Sequence, residues 1–175
     1  PELGLGLGIS IKTINFADGA TRRYTKNYTR ADGELRAEAG DYHERQPYAV
    51  MIGLIFLPAD SCDDGRGRAP SSFGQAVTIF RFRGGRQKPT DPPLLFERVF
   101  IGLYGTSEED FGSVGFFDVM QAPPKRGRPK TLMSFDEVVD EIAKTYDSRN
   151  SPKFEWADAE AEMIILPEPS DDEEE

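Results

Sequence analysis

The sequence predicts an α/β fold in which a central mixed sheet is flanked by helices. Residues 48–57 are apolar at nearly every position, which is typical of a central strand covered on both faces. Segments with apolar residues at helical spacing lie before and after this run. With 175 residues and 38% hydrophobic content, the chain is long enough for one domain with a real core.

The first predicted strand occupies residues 1–15. A period of two separates two faces: Leu3, Leu5, Leu7, Ile9 and Ile11 on one, and Glu2, three glycines, Ser10 and Lys12 on the other. We expect the leucine face to be buried. The opposite, glycine-lined face lets a second backbone or a ligand come close, and Lys12 stands where that ligand would sit.

A first helix is predicted over residues 32–45. Asp32 can cap its N-terminus, Leu35, Ala39 and Tyr42 form its apolar stripe, and Pro47 stops it. His43, at the helix end, is interpreted as a surface or capping residue.

In the second half of the chain, the sequence predicts two helices and a hairpin. Ser71 or Ser72 can cap a helix ending at residues 84–85, with a strand over residues 76–82 as the alternative. Residues 96–104 and 113–120 are predicted to form the two strands of a hairpin. Ser134 and Glu137 match a capping box that begins the last helix, which we expect to run to about Tyr146.

Charge divides the chain unevenly. The net charge is -10, but residues 155–175 hold ten of the 31 acids and no base, so the remaining 21 acids balance 21 lysines and arginines. We therefore predict a domain over residues 1–157 and an acidic, disordered tail over residues 158–175. Because the strand pattern is already under way at Pro1, we expect this domain to be incomplete at its N-terminus.

Cysteine content and hydropathy indicate the cellular compartment of the protein. Cys62 is the single cysteine, which forbids an internal disulfide and fits a reducing compartment. The longest apolar run, residues 48–58, is shorter than the roughly 20 residues that span a bilayer. These features predict a cytoplasmic protein with no membrane partner.

The order of a strand with a lysine, a polar loop, an acidic helix, a buried strand and a helix resembles the core of the PD-(D/E)XK nuclease superfamily, the fold of many restriction endonucleases. The resemblance covers residues 1–57. Pro1 and Glu2 resemble the first half-motif, and Ser10, Ile11 and Lys12 resemble the second, with Ser10 in place of its acid. Some family members have this serine and recruit a glutamate from the following helix, a part that Glu34 or Glu38 would take.

The resemblance implies a catalytic site built from Lys12 and Ser10, with Glu34, Glu38 and Glu2 as ligands of Mg²⁺. Phosphodiester hydrolysis independently needs hard oxygen ligands for the metal and a cation near the developing charge. Glu2 and Lys12 would lie roughly 33 Å apart in a straight strand, so they meet only if the chain folds back through its glycines. Two alternatives stay open: Lys12 protects an edge strand, or the glutamates form a solvated helix face.

Three basic clusters favour double-stranded DNA as a partner. Residues 124–130 resemble an AT-hook, in which Arg126 and Arg128 flank a glycine and lie in a narrow minor groove. The other two clusters contain Arg81 and Arg83, and Arg22, Arg23 and Lys26. Each could instead be a basic linker or a solvated surface.

The predicted function is a metal-dependent, restriction-type DNA endonuclease that uses Mg²⁺. One alternative is a catalytically inactive relative that binds nucleic acid, which Ser10 in place of the acid supports. Another is an interaction protein whose acidic tail mimics DNA. A homodimer is compatible with each of them.

Overall fold

The computed structural model describes residues 6–124 and 126–149. That part of the chain contains four strands and three α-helices, in the order β1 (Leu7–Thr13), α1 (Tyr28–Arg45), β2 (Val50–Pro58), α2 (Ser72–Phe80), β3 (Arg98–Tyr104), β4 (Val114–Asp118) and α3 (Phe135–Arg149). Short 3-10 turns follow β2 and α2, at Ala59–Cys62 and Arg81–Arg83. None of the helices in the described ranges is long and apolar enough to span a bilayer.

The strands form one sheet in the order β1-β2-β3-β4. The pairs β1–β2 and β2–β3 are parallel, and each is joined through a helix, whereas β3 and β4 pair as an antiparallel hairpin. The predicted α/β class, the mixed sheet flanked by helices and the hairpin are therefore confirmed.

Helices cover both faces of the sheet. On one face, apolar residues of α1 and α2, among them Leu35 and Phe73, pack on Ile55 of β2 in the larger core. On the other face, Val138 of α3 packs with Ile52 and other residues of β2, β3 and β4. The prediction that residues 48–57 contain a strand covered on both faces is confirmed, because β2 lies between these two cores.

The two faces of β1 are reversed relative to the prediction. Leu7, Ile9 and Ile11 are 37%, 49% and 59% exposed, while Ser10 is buried. The polar face is turned inward because α1 lies over it and supplies acidic side chains to Lys12. On the other face α3 packs against β2 and β4, so the apolar side chains of β1 lie beyond its cover. The expectation that the leucine face is buried is wrong for these three residues.

Helix α1 begins earlier than predicted, because Asn27 and not Asp32 is its N-terminal flanking residue. The buried Tyr28 fixes this first turn: its hydroxyl donates a 2.8 Å hydrogen bond to the Ser72 carbonyl of α2. Asp32 lies inside the helix and pairs with Arg83 at 2.6 Å.

The ends of α2 and α3 follow their capping residues. Ser71 caps α2, accepting from the Gly74 amide at 3.1 Å, and the strand alternative for residues 76–82 is wrong. At α3 the Glu137 carboxylate accepts from the Ser134 amide at 2.7 Å, which confirms the capping box. This helix continues past Tyr146 to Arg149.

Candidate functional site

Lys12 and two glutamates of α1 meet beside β1. The Lys12 Nζ lies 2.5 Å from Glu38 Oε1 and 3.6 Å from Glu34 Oε2. Residues four apart share one face of a helix, and that face of α1 lies over the polar face of β1. The structure thus confirms that Lys12 is in contact with carboxylates of α1, although the catalytic and metal-binding roles of these residues stay predictions.

Ser10 completes the cluster from the strand side. It lies two residues before Lys12, so both side chains project from the same face of β1. The buried Ser10 hydroxyl donates a hydrogen bond to Glu38 Oε2, the oxygen that Lys12 does not bind. Glu38 therefore binds the serine with one carboxylate oxygen and the lysine with the other. We call Ser10, Lys12, Glu34 and Glu38 the lysine cluster.

Arg30 is a fourth charged residue at this place, and it lies one helical turn before Glu34 on α1. Its Nε donates to Glu34 Oε1 at 2.7 Å. This hydrogen bond is the largest influence lowering the pKa of Glu34 below its ordinary value of 4.5, and Lys12 lowers it further. Glu34 is therefore ionised at neutral pH.

Two open cavities flank the lysine cluster. One, of about 350 Å³, is lined by Lys12, Asn27, Arg30 and Glu34 among others. The second, of about 370 Å³, is lined by Ser10, Lys12, Glu38 and Met51 among others. Lys12 lines both cavities.

The lysine cluster can offer a small number of oxygen ligands to a metal ion. Among residues 6–124 and 126–149, no group of three His, Cys, Asp or Glu side chains is arranged to hold a metal. Mg²⁺ does not require such a group, since it is commonly bound by one or two carboxylates and completes its shell with water and substrate phosphate. Glu34 and Glu38 are the two carboxylates at this place, and their oxygens contact Ser10, Lys12 and Arg30. Their binding of Mg²⁺ stays a prediction, and Glu2 lies outside the described residues.

Besides Arg126, four of the predicted DNA-binding arginines make internal contacts. Arg81 donates from Nε to the Val119 carbonyl at 2.7 Å, and Arg83 pairs with an aspartate of α1. Arg23 donates to the Pro70 carbonyl at 2.6 Å. Arg128 forms an ion pair with Asp110 at 2.6 Å. Their contact with DNA stays a prediction, and binding would have to use the donors that these bonds leave over.

The remaining predicted basic residues are more accessible. Arg22 and Lys26 are exposed on the loop before α1. The exposed Arg126 donates to the Gly67 carbonyl at 2.9 Å, and Lys125 lies outside the described residues. The AT-hook resemblance of residues 124–130 is therefore untested.

A buried charged network at the start of β2 and β3 was not predicted. Glu97 accepts from the Met51 amide at 2.7 Å, from Arg86 at 2.9 Å, and lies 3.0 Å from Arg149. His43 donates from Nδ1 to the Pro93 carbonyl at 3.0 Å, and its Nε2 lies 3.5 Å from Glu97. We call His43, Arg86, Glu97 and Arg149 the Glu97 network.

The interpretation of His43 as a surface or capping residue is wrong, because its side chain is buried against Glu97. The sequence carries one weak signal for this network. Glu97 is an acid within the apolar segment that leads into β3, directly after Phe96. Its partners lie 11 to 54 residues away along the chain, which no local pattern reveals.

The Glu97 network should make stability sensitive to acid. Burial raises the pKa of Glu97, but His43, the Met51 amide and Arg86 lower it by more, so it lies below its ordinary value of 4.5. A carboxyl with a lowered pKa stabilises the fold above its unfolded pKa, and this contribution is lost as the pH falls through the folded pKa.

We expect the free energy of unfolding, measured by urea denaturation, to fall as the pH drops below about 4.5. In Glu97→Gln the slope in this range should be smaller, by up to about 1.4 kcal/mol per pH unit for one proton. Equal slopes in the two proteins would contradict the assignment.

No protein-family model, no curated protein and no solved structure matches the chain.

Proposed function

We propose that this protein is a Mg²⁺-dependent DNA endonuclease with a restriction-endonuclease-like core. One observation carries the proposal: Glu38 of α1 contacts both Ser10 and Lys12 of β1. In some members of the superfamily that the chain resembles, a serine replaces the motif acid and the following helix supplies a glutamate. The position of Glu38 supports this, because its carboxylate accepts from Ser10, the residue that would replace the strand acid in the resemblance.

The topology of the first half of the sheet also supports the proposal. Strand β1, helix α1 and strand β2 form a parallel unit, and α1 crosses back over the polar face of β1. A strand that carries a lysine and a helix that carries acids therefore face each other. The glutamates need no further chain segment to reach Lys12.

The members of the lysine cluster would take three parts in the proposed reaction. Glu34 and Glu38 would hold Mg²⁺, which supplies a Lewis acid and a bound water of lowered pKa. The Ser10 hydroxyl orients the Glu38 carboxylate. The Lys12 ammonium, which borders both cavities, stabilises negative charge as it develops on the scissile phosphate.

Double-stranded DNA is the proposed substrate because two cations, Lys12 and Arg30, line one cavity with the single acid Glu34. Arg30 and Asn27 line the cavity that reaches Lys12, and the exposed Lys26 precedes Asn27 in the chain. Exposed cations beside a cleft attract the phosphate backbone without reading its sequence. This arrangement supports a polyanionic nucleic acid as the substrate.

The test is nicking of supercoiled plasmid DNA by the purified chain. We expect cleavage with Mg²⁺ and none with EDTA. Glu38→Gln should lower the rate by at least about 100-fold, because loss of a proposed metal ligand should cost no less than loss of a group that supports such a ligand. Glu44→Gln is the matched control, because Glu44 is an exposed glutamate near the C-terminal end of α1 and should leave the rate unchanged.

Two results would contradict the proposal. Equal cleavage by native protein and Glu38→Gln would place the activity outside the lysine cluster. Binding of duplex DNA without cleavage would favour the catalytically inactive relative, for which the pairing of Lys12 with both glutamates is the supporting observation.

A further inference from the structure

We propose that residues 151–157 of this chain dock on the exposed apolar face of β1, with Phe154 and Trp156 covering Leu7, Ile9 and Ile11. These three strand residues are called the β1 strip. This inference is independent of the proposed nuclease function, because the β1 strip lies on the face of the sheet opposite the lysine cluster.

The β1 strip extends the core on the α3 side of the sheet, and the described residues leave the strip uncovered. Leu7, Ile9 and Ile11 are paired in register with Val50, Ile52 and Leu54 of β2, which are buried. Alternate residues of neighbouring strands share a face, so the strip continues the α3 side of the sheet toward its edge. Exposed apolar side chains on an edge strand invite association, and proteins usually cover them.

The end of α3 leads the chain to this strip. The Tyr146 ring lies over Gly6: its hydroxyl would be 2.8 Å from a Cβ added there. Arg149, the last residue of α3, binds Glu97 directly before β3. Helix α3 therefore ends at the edge of the sheet where β1, β2 and β3 begin, with Tyr146 beside Gly6, the residue before Leu7.

The sequence that follows has the pattern the strip requires. Phe154 and Trp156 are two residues apart, so an extended segment presents both on one face, with Lys153 and Glu155 on the other. Seven residues from Arg149 to Trp156 reach about 23 Å when extended. The strip from Leu7 to Ile11 spans about 13 Å, which is within that reach. The run of acids begins only at Asp158, beyond the apolar pair.

Trp156 reports on this contact directly, because it is the single tryptophan of the chain. In the full chain we expect its fluorescence maximum at a shorter wavelength than that of N-acetyltryptophanamide, with slower quenching by acrylamide. Ile9→Asp should move the maximum to longer wavelength and speed the quenching. Phe111→Asp is the matched control, since Phe111 is an apolar residue 83% exposed in the β3–β4 turn, and it should change neither quantity.

Phe154→Ser provides a second variant that leaves the described residues intact, and it should also speed the quenching of Trp156. Far-UV circular dichroism of each variant checks that the sheet is retained. A native emission maximum equal to that of the free amide, or one that neither variant moves, would overturn the proposal. A blue-shifted maximum that is lost on dilution together with a dimer in light scattering would overturn it in favour of a second copy of the chain.

Discussion

Replacing Glu97 with glutamine is expected to lower the free energy of unfolding by about 3 to 5 kcal/mol, the cost of removing one partner from a buried ion pair. Glu97 is 4% exposed and is the single acid facing Arg86 and Arg149 in the Glu97 network. Glutamine keeps the shape but removes the negative charge, which leaves two buried guanidinium groups without their counterion. Urea denaturation followed by circular dichroism measures the change.

Two further variants test another member of the Glu97 network and an exposed control position. Arg149→Met should cost less, because Arg86 still balances Glu97 and keeps its hydrogen bonds to the Pro47 and Pro89 carbonyls. Glu109→Gln, in the exposed β3–β4 turn, should stay within about 0.5 kcal/mol of the native protein. A loss below about 1 kcal/mol in Glu97→Gln would show that the network is not a structural anchor.

The Glu97 network also connects the fold to the candidate site. It joins His43 at the end of α1, Arg149 at the end of α3 and the Met51 amide at the start of β2. It thereby fixes the C-terminal end of the helix whose middle carries the two glutamates. Since Lys12 lies on β1 and its partners on α1, the geometry of the lysine cluster depends on how firmly α1 is held against the sheet.

Local patterns predicted those parts of the fold that have local causes. The apolar run of β2 and the capping box at Ser134 need no distant partner, and both were predicted correctly. The start of α1 was missed because no side-chain hydrogen bond caps it at Asn27, and the buried Tyr28 decides it instead through Ser72. A contact 44 residues along the chain leaves no trace in the helical pattern.

The candidate site was partly predictable for the same reason. The period of two on β1 placed Ser10 and Lys12 on one face, and the spacing on α1 placed Glu34 and Glu38 together. The alternation did not reveal which face of β1 turns toward α1, because that depends on which helix packs over each face of the sheet and not on the pattern of β1 itself. The packing of α3 on β2 and β4, which decides what is covered, is a tertiary property.

Lys12→Met should lower the rate of DNA cleavage by about 10²- to 10³-fold, as expected when a group that stabilises developing charge is removed. Methionine keeps most of the length of the side chain but has no ammonium to place near the phosphate. DNA binding should change little, with a salt dependence lower by at most about 0.9 in slope for one lost phosphate contact. The stability loss should stay near 1 kcal/mol or below, because the pair with Glu38 is partly exposed and the carboxylate keeps its bond from Ser10.

Lys144→Met is the matched control for this variant. Lys144 is also paired with a glutamate, Glu141 at 2.8 Å, but it lies on α3 on the opposite face of the sheet and is 70% exposed. Loss of a lysine–glutamate pair there should leave plasmid cleavage unchanged. Lys12→Arg keeps the charge but not the compact ammonium, so it should retain binding and restore cleavage only in part. Cleavage by Lys12→Met at the native rate would instead identify Lys12 as a lysine that protects the edge of the sheet, held in place by two acids of α1.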